Sequence, residues 1–226
     1  MTTRRNMIKQ SLLGTAGLSA SAFLTCEKTE QNDCITTIMT RRSVRQYTDD
    51  PVPEKDLIQI LDAARMAPTA GNQQPWKFIV VQKPEIIQRL KAACIENSTN
   101  NFKKSEEHTE EEIESQKHGA TNYYSNVFSA PVYVVVLTDS KSRRAGYNRH
   151  DGPLAAGTLC LAARALGYGT VYYTASIPEH VTQKVLNIPK QYQRVCVTPI
   201  GKPVKWPDCP PKKKLENFIV YDSFGQ

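Results

Sequence analysis

The sequence has few of the features that mark a metal centre or a thiol redox centre. Its six cysteines are widely separated, and none has the short spacing of a zinc knuckle or a Cys-x-x-Cys pair. The four histidines show no metal-ligand spacing either. We therefore expect no metal site. Cys94, Cys160 and Cys196 lie in apolar contexts, and we expect them to be buried as small hydrophobic side chains.

Long hydrophobic runs and common catalytic motifs are also missing. The apolar stretch from Leu12 to Leu24 is too short for a bilayer, which requires roughly 20 residues. The chain contains no Gly-x-Ser-x-Gly, no Walker A and no His-Glu-x-x-His. Gly167-Tyr168-Gly169 begins like a dinucleotide fingerprint, but Tyr172 stands where its third glycine belongs, and a strand pattern follows. We therefore expect neither a Rossmann site nor one of these hydrolase or nucleotidase sites.

The net charge of +7 would suggest a nucleic-acid partner, but it comes from two short segments. Residues 1–25 carry Arg4, Arg5 and Lys9 and no acid. Residues 202–214 carry five lysines and one aspartate. The intervening residues hold 21 basic and 19 acidic side chains. Because the body has no basic stripe interleaved with aromatic residues, we expect no nucleic-acid binding.

The first basic segment predicts export. Residues 3–9, Thr-Arg-Arg-x-apolar-apolar-Lys, precede an uncharged apolar stretch and are similar to a twin-arginine signal, with an ordinary secretion signal as the alternative. Cys26 stands where a bacterial lipoprotein is cleaved and acylated, but the residues before it fit imperfectly, so lipidation and plain cleavage both remain open. We expect an export signal over 1–25 and a tether over 26–37. The protein would then be periplasmic or lipid-anchored to the bacterial envelope, with membrane contact only through Cys26.

The body alternates helical and strand patterns without an internal repeat, which predicts an α+β or α/β fold. The acidic segment 97–120 is expected to be a solvated helix or loop. Helices are predicted from Pro53 to just before Pro68, from Pro84 through Ala93, and over Leu154–Leu166 and Glu179–Leu186. Strands are predicted over Trp76–Val81, Val132–Leu137, Val171–Tyr173 and Arg194–Ile200.

Two motifs could carry chemistry. The first, Arg41-Arg42-Ser43-Val44-Arg45-Gln46-Tyr47, brings three guanidinium groups and a hydroxyl together, a set that suits a phosphate dianion. The second runs from Pro68 to Trp76 as Pro-Thr-Ala-Gly-Asn-Gln-Gln-Pro-Trp, a tight loop rich in amides. Taken singly, the first is also compatible with a solvated arginine cluster and the second with a simple helix-to-strand connector.

In combination the two motifs closely resemble the FMN-dependent nitroreductase family. The match continues through Ala165-Leu166-Gly167-Tyr168-Gly169, Ile200-Gly201-Lys202-Pro203 and a basic tail, and it covers roughly residues 38–222. The resemblance implies a three-layer α+β sandwich over residues 38–226. It also implies a domain-intertwined homodimer that holds FMN in two grooves at its interface.

The resemblance also implies roles for individual residues. The FMN phosphate, ribityl chain and pyrimidine edge would be held by Arg41, Arg42, Ser43 and Arg45, with the other subunit supplying Pro68, Thr69, Ala70 and Asn72. The strand end along the flavin, where a backbone N–H can meet N5, would be Tyr172, Tyr173, Thr174 and Ala175. The basic tail would close on the phosphate through Lys212 and Lys214, with a solvated tail as the alternative. Two positions depart from the family: Ala70 replaces a frequent Ser, and Thr174-Ala175 replaces Glu-Gly.

The implied activity needs no catalytic side chain, because flavin N5 does the chemistry. Electrons would pass by a ping-pong mechanism from NAD(P)H, or another donor in an exported location, to nitroaromatic, quinone or similar acceptors. The alternatives are a specialised flavin enzyme of the same fold, reductive dehalogenase-like or flavin-cleaving, and an exported flavin-binding lipoprotein without turnover. The acidic segment and the aromatic residues after it would either shape the acceptor pocket or form a plain solvated helix.

Overall fold

Four antiparallel strands form the central sheet in the order β1-β2-β4-β3. The computed structural model describes residues 34–224, and its strands are β1 Trp76–Val81, β2 Val132–Asp139, β3 Gly169–Thr170 and β4 Tyr192–Gly201. Phe78 lies opposite Val136, and Val134 lies opposite Thr198. The β-branched and aromatic content of β1, β2 and β4 explains why these segments pair as strands.

Strand β2 shows why the sheet lies in the middle of the molecule. Tyr133 and Val135 point to one face, Val134 and Val136 point to the other, and all four are fully buried. A strand that is apolar on both faces needs cover on both. The sheet is therefore the middle of three layers.

Helices cover each face of the sheet. Helices α3 (Pro84–Ser105), α4 (Glu110–Val127) and α6 (Glu179–Val185) pack on the face of Tyr133 and Val135. Helices α2 (Glu54–Ala64) and α5 (Asn148–Ala165) pack on the face of Val134 and Val136. A further short helix, α1 (Cys34–Thr40), lies against α5. The predicted three-layer α+β sandwich is confirmed, and Cys94, Cys160 and Cys196 are buried in it as expected.

Helix α5 is alanine-rich because it packs closely on the sheet. At Gly152 a Cβ atom would come within 2.5 Å of Val195 and 2.8 Å of Thr138, so the helix has no room there for a side chain. The helix ends where Gly167 adopts a positive φ of 83°. The N–H groups of Gly167 and Tyr168 then bond back to the carbonyls of Arg164 and Ala163. This Schellman arrangement confirms the predicted stop at Gly167.

The acidic segment is helical on both sides of a short break. Helix α3 runs on to Ser105, and α4 begins with a capping box in which Thr109 and Glu112 satisfy each other's backbone N–H groups. Three glutamates in the first turn of α4 interact favourably with the positive end of the helix dipole. Hydrogen bonds from the Thr109 backbone and side chain lower the pKa of Glu112. Of the two expected forms, a solvated helix is the one present.

The structure differs from the sequence predictions near the site. Strand β3 ends at Thr170, and the predicted strand over 171–173 is reduced to a single bridge between Tyr173 and Val197, because the chain leaves the sheet there. Helix α1 begins inside the predicted tether at Cys34. The predicted export signal and Cys26 lie outside the described residues.

Residues 34–224 contain neither a membrane-spanning helix nor a cluster of metal-ligating side chains. None of the helices in this range has the length and apolar character needed to cross a bilayer. The same range contains no cluster of His, Cys, Asp and Glu side chains that could hold a metal ion.

Candidate cofactor site

The first motif runs beside the short strand β3. Ser43 and Thr170 form a parallel bridge, and the Val44 N–H donates to the Thr170 carbonyl at 2.9 Å. The Val44 side chain is buried against Gly169, where a Cβ would lie only 2.7 Å from its Cγ2 atom. Because neighbouring side chains of an extended chain alternate in direction, Ser43 and Arg45 point away from this buried face.

A cavity of about 490 Å³, here the arginine cavity, opens beside the motif. Arg42 is held by bonds of 2.8 Å from its Nη1 to the carbonyls of Met39 and Arg41. Arg45 Nη1 makes a longer bond of 3.4 Å to the Ser43 carbonyl. The cavity is lined by Ile38, Met39, Arg41, Arg42, Ser43, Arg45, Pro207, Asp208, Cys209, Pro210 and Lys212.

The charge of the arginine cavity is poorly balanced by the protein itself. Within residues 34–224, no ion pair involves Arg41, Arg42, Arg45 or Lys212. Asp208 is the one acidic side chain in the described lining. Cations gathered in this way repel one another and attract an anion. The donor set of guanidinium, ammonium and hydroxyl groups therefore fits a phosphate dianion.

The C-terminal tail brings a lysine to this cavity. The tail begins with a bridge between Tyr47 and Pro203, and the Arg164 guanidinium lies over the Trp206 ring at 4.2 Å from its centroid. Lys212 then lines the arginine cavity together with the first motif. Lys214, the other predicted phosphate ligand, lies outside the lining and caps a short turn at Leu215–Asn217.

A second cavity of about 360 Å³, here the tyrosine cavity, adjoins the first through Arg45, which lines both. The predicted flavin-side segment forms one wall and α4 the other. Its lining comprises Arg45, Tyr123, Asn126, Val127, Val171, Tyr172, Tyr173, Thr174, Ala175 and Ser176.

The phenols of Tyr172 and Tyr173 in the tyrosine cavity are neutral near pH 7. Burial, with the neighbouring Cys196 thiol as the next cause, raises the pKa of Tyr172 to about 12. Burial also raises the pKa of Tyr173, although the charge of Arg45 opposes the shift. The wall therefore offers aromatic surface and hydroxyl groups, with Arg45 as its one charged residue among those described.

The second motif lies in neither cavity. Its loop carries positive φ angles at Gly71 and Asn72 and is tied to α5, where the Ala70 N–H donates to Asp151 Oδ1 at 3.2 Å. Arg143 Nη2 donates to the Gly71 carbonyl at 2.7 Å. The chain thus brings together the first motif, Lys212 and the wall over 172–175. The predicted residues of the second motif remain apart from them: Pro68, Thr69, Ala70 and Asn72.

Sequence reasoning missed the residues that hold the loop and part of the cavity lining. Asp151 is 3% exposed and accepts from the side chain of Gln73, which also bonds Asn148. A lone aspartate within an alanine-rich helix was the available signal. Ile38 and Met39 of α1 also line the arginine cavity, and no motif marked them.

One family model matches this chain, and several known proteins are similar to it. Residues 38–202 match the model of the Nitroreductase family. A protein of Methanothermobacter thermautotrophicus, provisionally named NADH dehydrogenase/NAD(P)H nitroreductase, is 30% identical over 184 residues, covering 80% of this chain and 82% of that one. The iodotyrosine deiodinase of Thermotoga neapolitana is 26% identical over 186 residues, covering 81% and 95%.

Solved structures share the fold. A crystal structure of an iodotyrosine deiodinase bound to FMN and 3-iodo-L-tyrosine superposes with a TM-score of 0.67 at 22% identity, covering 84% of this chain and 100% of that one. A nitroreductase with bound FMN from Desulfitobacterium hafniense gives a TM-score of 0.63 at 23% identity, with coverage of 84% and 98%.

Proposed function

This chain belongs to the nitroreductase family, and we propose that it is an FMN-dependent oxidoreductase. The observation that carries the proposal is the arginine cavity. The cavity is lined by three arginines, a serine and Lys212. These cations have no ion-pair partner among the described residues, so their charge is free to bind a flavin phosphate. The FMN-bound structures with this fold support the same cofactor. When bound, FMN accepts hydride at N5 and passes the electrons on.

The residues of this chain would bind and orient the cofactor. Arg41, Arg42 and Lys212 would hold the phosphate, because charge-assisted bonds to phosphate oxygens are about twice as strong as neutral ones. Arg45 stands between the two cavities, so its charge favours a ligand group that gains negative charge during reduction. The Tyr172–Ala175 wall would fix the position of the ring and exclude water from one side.

We propose that the donor is NAD(P)H, or another reductant if the protein is exported. Nitroaromatics and quinones are the proposed acceptors, reached by a ping-pong cycle in the tyrosine cavity. The relative named NADH dehydrogenase/NAD(P)H nitroreductase supports this choice. The aromatic lining suits planar acceptors, which stack on tyrosine rings.

Reductive dehalogenation is the second candidate function, favoured by the relatives named iodotyrosine deiodinase. An amino-acid substrate carries an ammonium group, which would need an acidic partner. The described lining of the tyrosine cavity contains no carboxylate. The glutamates of the acidic segment begin α4, whereas the cavity contacts its last turns at Tyr123, Asn126 and Val127. We therefore rank dehalogenation of an amino acid second.

The cofactor proposal is tested by spectroscopy on the purified protein. We expect a yellow preparation with a flavin spectrum that NAD(P)H bleaches, and fluorescence quenching gives the FMN dissociation constant. Arg41→Ala and Lys212→Ala should each raise that constant roughly 10-fold or more, because each removes a charge-assisted bond. Lys213→Ala, next to a lining residue, is the matched control. A colourless protein that takes up no added FMN would contradict the proposal.

The acceptor is tested by anaerobic stopped-flow kinetics. The reduced protein is mixed with a quinone, a nitroaromatic or 3-iodotyrosine, and reoxidation of the flavin is followed. We expect fast reoxidation by the first two compounds. Fast reoxidation by 3-iodotyrosine with release of iodide would instead favour the dehalogenase function.

We propose a homodimer as the working form. The end of the tail exposes the large apolar side chains of Phe218, Tyr221 and Phe224 to 67%, 82% and 91%, and burial against a second copy would remove them from water. A second copy that covered this tail could also supply the Pro68–Asn72 loop, which lies apart from both cavities in its own chain.

We also propose that residues 1–25 direct export and that Cys26 is the candidate lipidation site. Cell fractionation shows in which compartment the full-length protein accumulates. Incorporation of a labelled fatty acid shows whether Cys26 is acylated. Replacement of Arg4 and Arg5 by lysines should retain the protein in the cytoplasm if the twin-arginine route is used. Unchanged export would indicate an ordinary secretion signal.

A further inference from the structure

The wall of the tyrosine cavity has little regular backbone support. Strand β3 ends at Thr170, Tyr173 makes a single bridge to Val197, and α6 does not begin until Glu179. Residues 174–178 therefore belong to no helix or strand. Yet Thr174, Ala175 and Ser176 form part of the lining. Contacts other than helix or strand backbone hydrogen bonds must therefore set their conformation.

Arg194 of β4 supplies this support from behind the wall. Its Nη2 donates to the Thr174 carbonyl at 2.8 Å, and its Nη1 donates to the Ile177 carbonyl at 2.5 Å. One planar guanidinium thus connects the two ends of the turn that forms the wall. Its own backbone N–H donates to Glu179 Oε1 at 3.2 Å, which ties the start of α6 to the same point. Arg194 itself lines neither cavity.

The electrostatics of Arg194 are unusual for a residue whose only role is packing. Burial lowers its pKa, and the opposing charge of Glu179 limits the shift, with the Cys196 and Cys94 thiols nearby. Its Nε is buried and has no hydrogen-bond partner among the described residues. Removing part of a guanidinium from water costs free energy unless the group is paired or hydrogen-bonded, and Arg194 is half-buried. Here the bonds go to two wall carbonyls, and the rigid fork of arginine can reach both, whereas the single ammonium group of lysine cannot hold the same planar geometry.

We propose that Arg194 is a positioning residue that fixes the Thr174 and Ile177 carbonyls and so shapes the wall facing the flavin and its substrates. The identity of those ligands rests on the proposed function, but the effect of Arg194 on the wall does not.

The first test is hydrogen exchange on the purified full chain, which does not depend on bound flavin. In Arg194→Met, peptides covering 171–178 should exchange roughly 10-fold faster or more, because the tie to both carbonyls is lost. Peptides covering β2 should be unchanged. Arg194→Lys should give an intermediate rate. The control Glu179→Gln removes the facing charge but keeps both carbonyl bonds, and its wall should exchange as in the wild type.

The second test is steady-state kinetics and flavin circular dichroism of the FMN-loaded enzyme. Arg194→Met should raise the acceptor KM and change the visible dichroism of the flavin, whereas the FMN dissociation constant should change less than in Arg41→Ala. A wild-type exchange rate in the wall of Arg194→Met overturns the proposal, as does a lower stability without any change in KM or dichroism. Faster wall exchange in a protein that binds no FMN would leave the positioning role standing and contradict the proposed function instead.

Discussion

Gln73 donates a 2.6 Å hydrogen bond to the buried carboxylate of Asp151, so a residue of helix α5 holds the amide-rich loop. The Ala70 N–H completes the arrangement at 3.2 Å from the other carboxylate oxygen. Both partners of Asp151 belong to the loop that the sequence predicts as a cofactor ligand. The stability of the helix and the shape of the loop are therefore connected at one side chain.

Asp151→Ala should lower the free energy of unfolding by about 1–3 kcal/mol, because the Ala70 N–H loses its acceptor and the Gln73 amide loses its shortest hydrogen bond. Urea unfolding measures the loss. Asp62→Ala, which removes an exposed ion pair with Arg65, is the control and should cost less than about 1 kcal/mol. Equal effects of the two substitutions would contradict the anchoring role of Asp151.

Gly169→Ala should destabilise the protein by about 1–3 kcal/mol, because the added methyl would collide with Val44. The displaced Val44 would also move the arginine motif, so the FMN dissociation constant should rise. Val44→Ala in the same chain makes room for the methyl. We expect the double variant to be more stable than the sum of the two single changes implies, since residues in contact couple. Strict additivity in a double-mutant cycle would count against this packing.

The origin of the Pro68–Asn72 loop at each site can be tested with mixed dimers. One protomer carries Arg41→Ala, the other carries Asn72→Ala, and two different affinity tags allow the heterodimer to be isolated. If the loop comes from the other subunit, one site contains both substitutions and the other contains neither. Half the sites should then bind FMN with wild-type affinity. Uniformly weak binding would show instead that each site uses its own loop.

Removal of residues 215–226 should convert the dimer to a monomer, because it deletes the exposed apolar surface of Phe218, Tyr221 and Phe224. Light scattering coupled to size exclusion gives the mass. FMN affinity should fall as well, although Arg41 to Arg45 and Lys212 are all retained. A dimer that survives the truncation would show that association depends on other surfaces.

Stability should decline as the pH rises above about 10. Burial raises the pKa of Tyr133, whose hydroxyl donates to the Val127 carbonyl at 3.0 Å and accepts from the Ala130 N–H at 2.9 Å. The folded state thus retains a proton that the unfolded chain releases near pH 10, so stabilisation is complete below that pH and is lost above it. Tyr133→Phe should flatten the decline in a series of denaturation curves. The control is Tyr147→Phe, at an exposed tyrosine outside the tail that we propose the second copy covers.

The sequence predicted secondary structure best where the local residue pattern and the position of the segment in the core favour the same element. The strand from Trp76 to Val81 was predicted with its observed bounds, because aromatic and β-branched residues there also lie in the sheet. The strand predicted over 171–173 failed because its apolar residues line a cavity wall, and composition does not distinguish a wall from a strand.

From the sequence, only those residues of the candidate site could be predicted that belong to a motif or to a cluster of charges. The guanidinium groups of the first motif and Lys212 were identified by type and are brought to one cavity. Asp151 and Arg194 were not found, because a single aspartate or arginine far along the chain gives no sign of which carbonyl or amide it will meet. Such contacts depend on tertiary structure, and no local propensity encodes them.

Arg45 lines both cavities, and this shared position has a thermodynamic consequence. An anion in the arginine cavity compensates the guanidinium charge and so weakens its attraction for a second anion in the tyrosine cavity. Thermodynamic linkage makes this effect reciprocal. The anion in the tyrosine cavity lowers the affinity of the arginine cavity for its anion by the same factor. The two cavities are thus expected to behave as coupled sites, with a neutral acceptor escaping the penalty that an anionic one would meet.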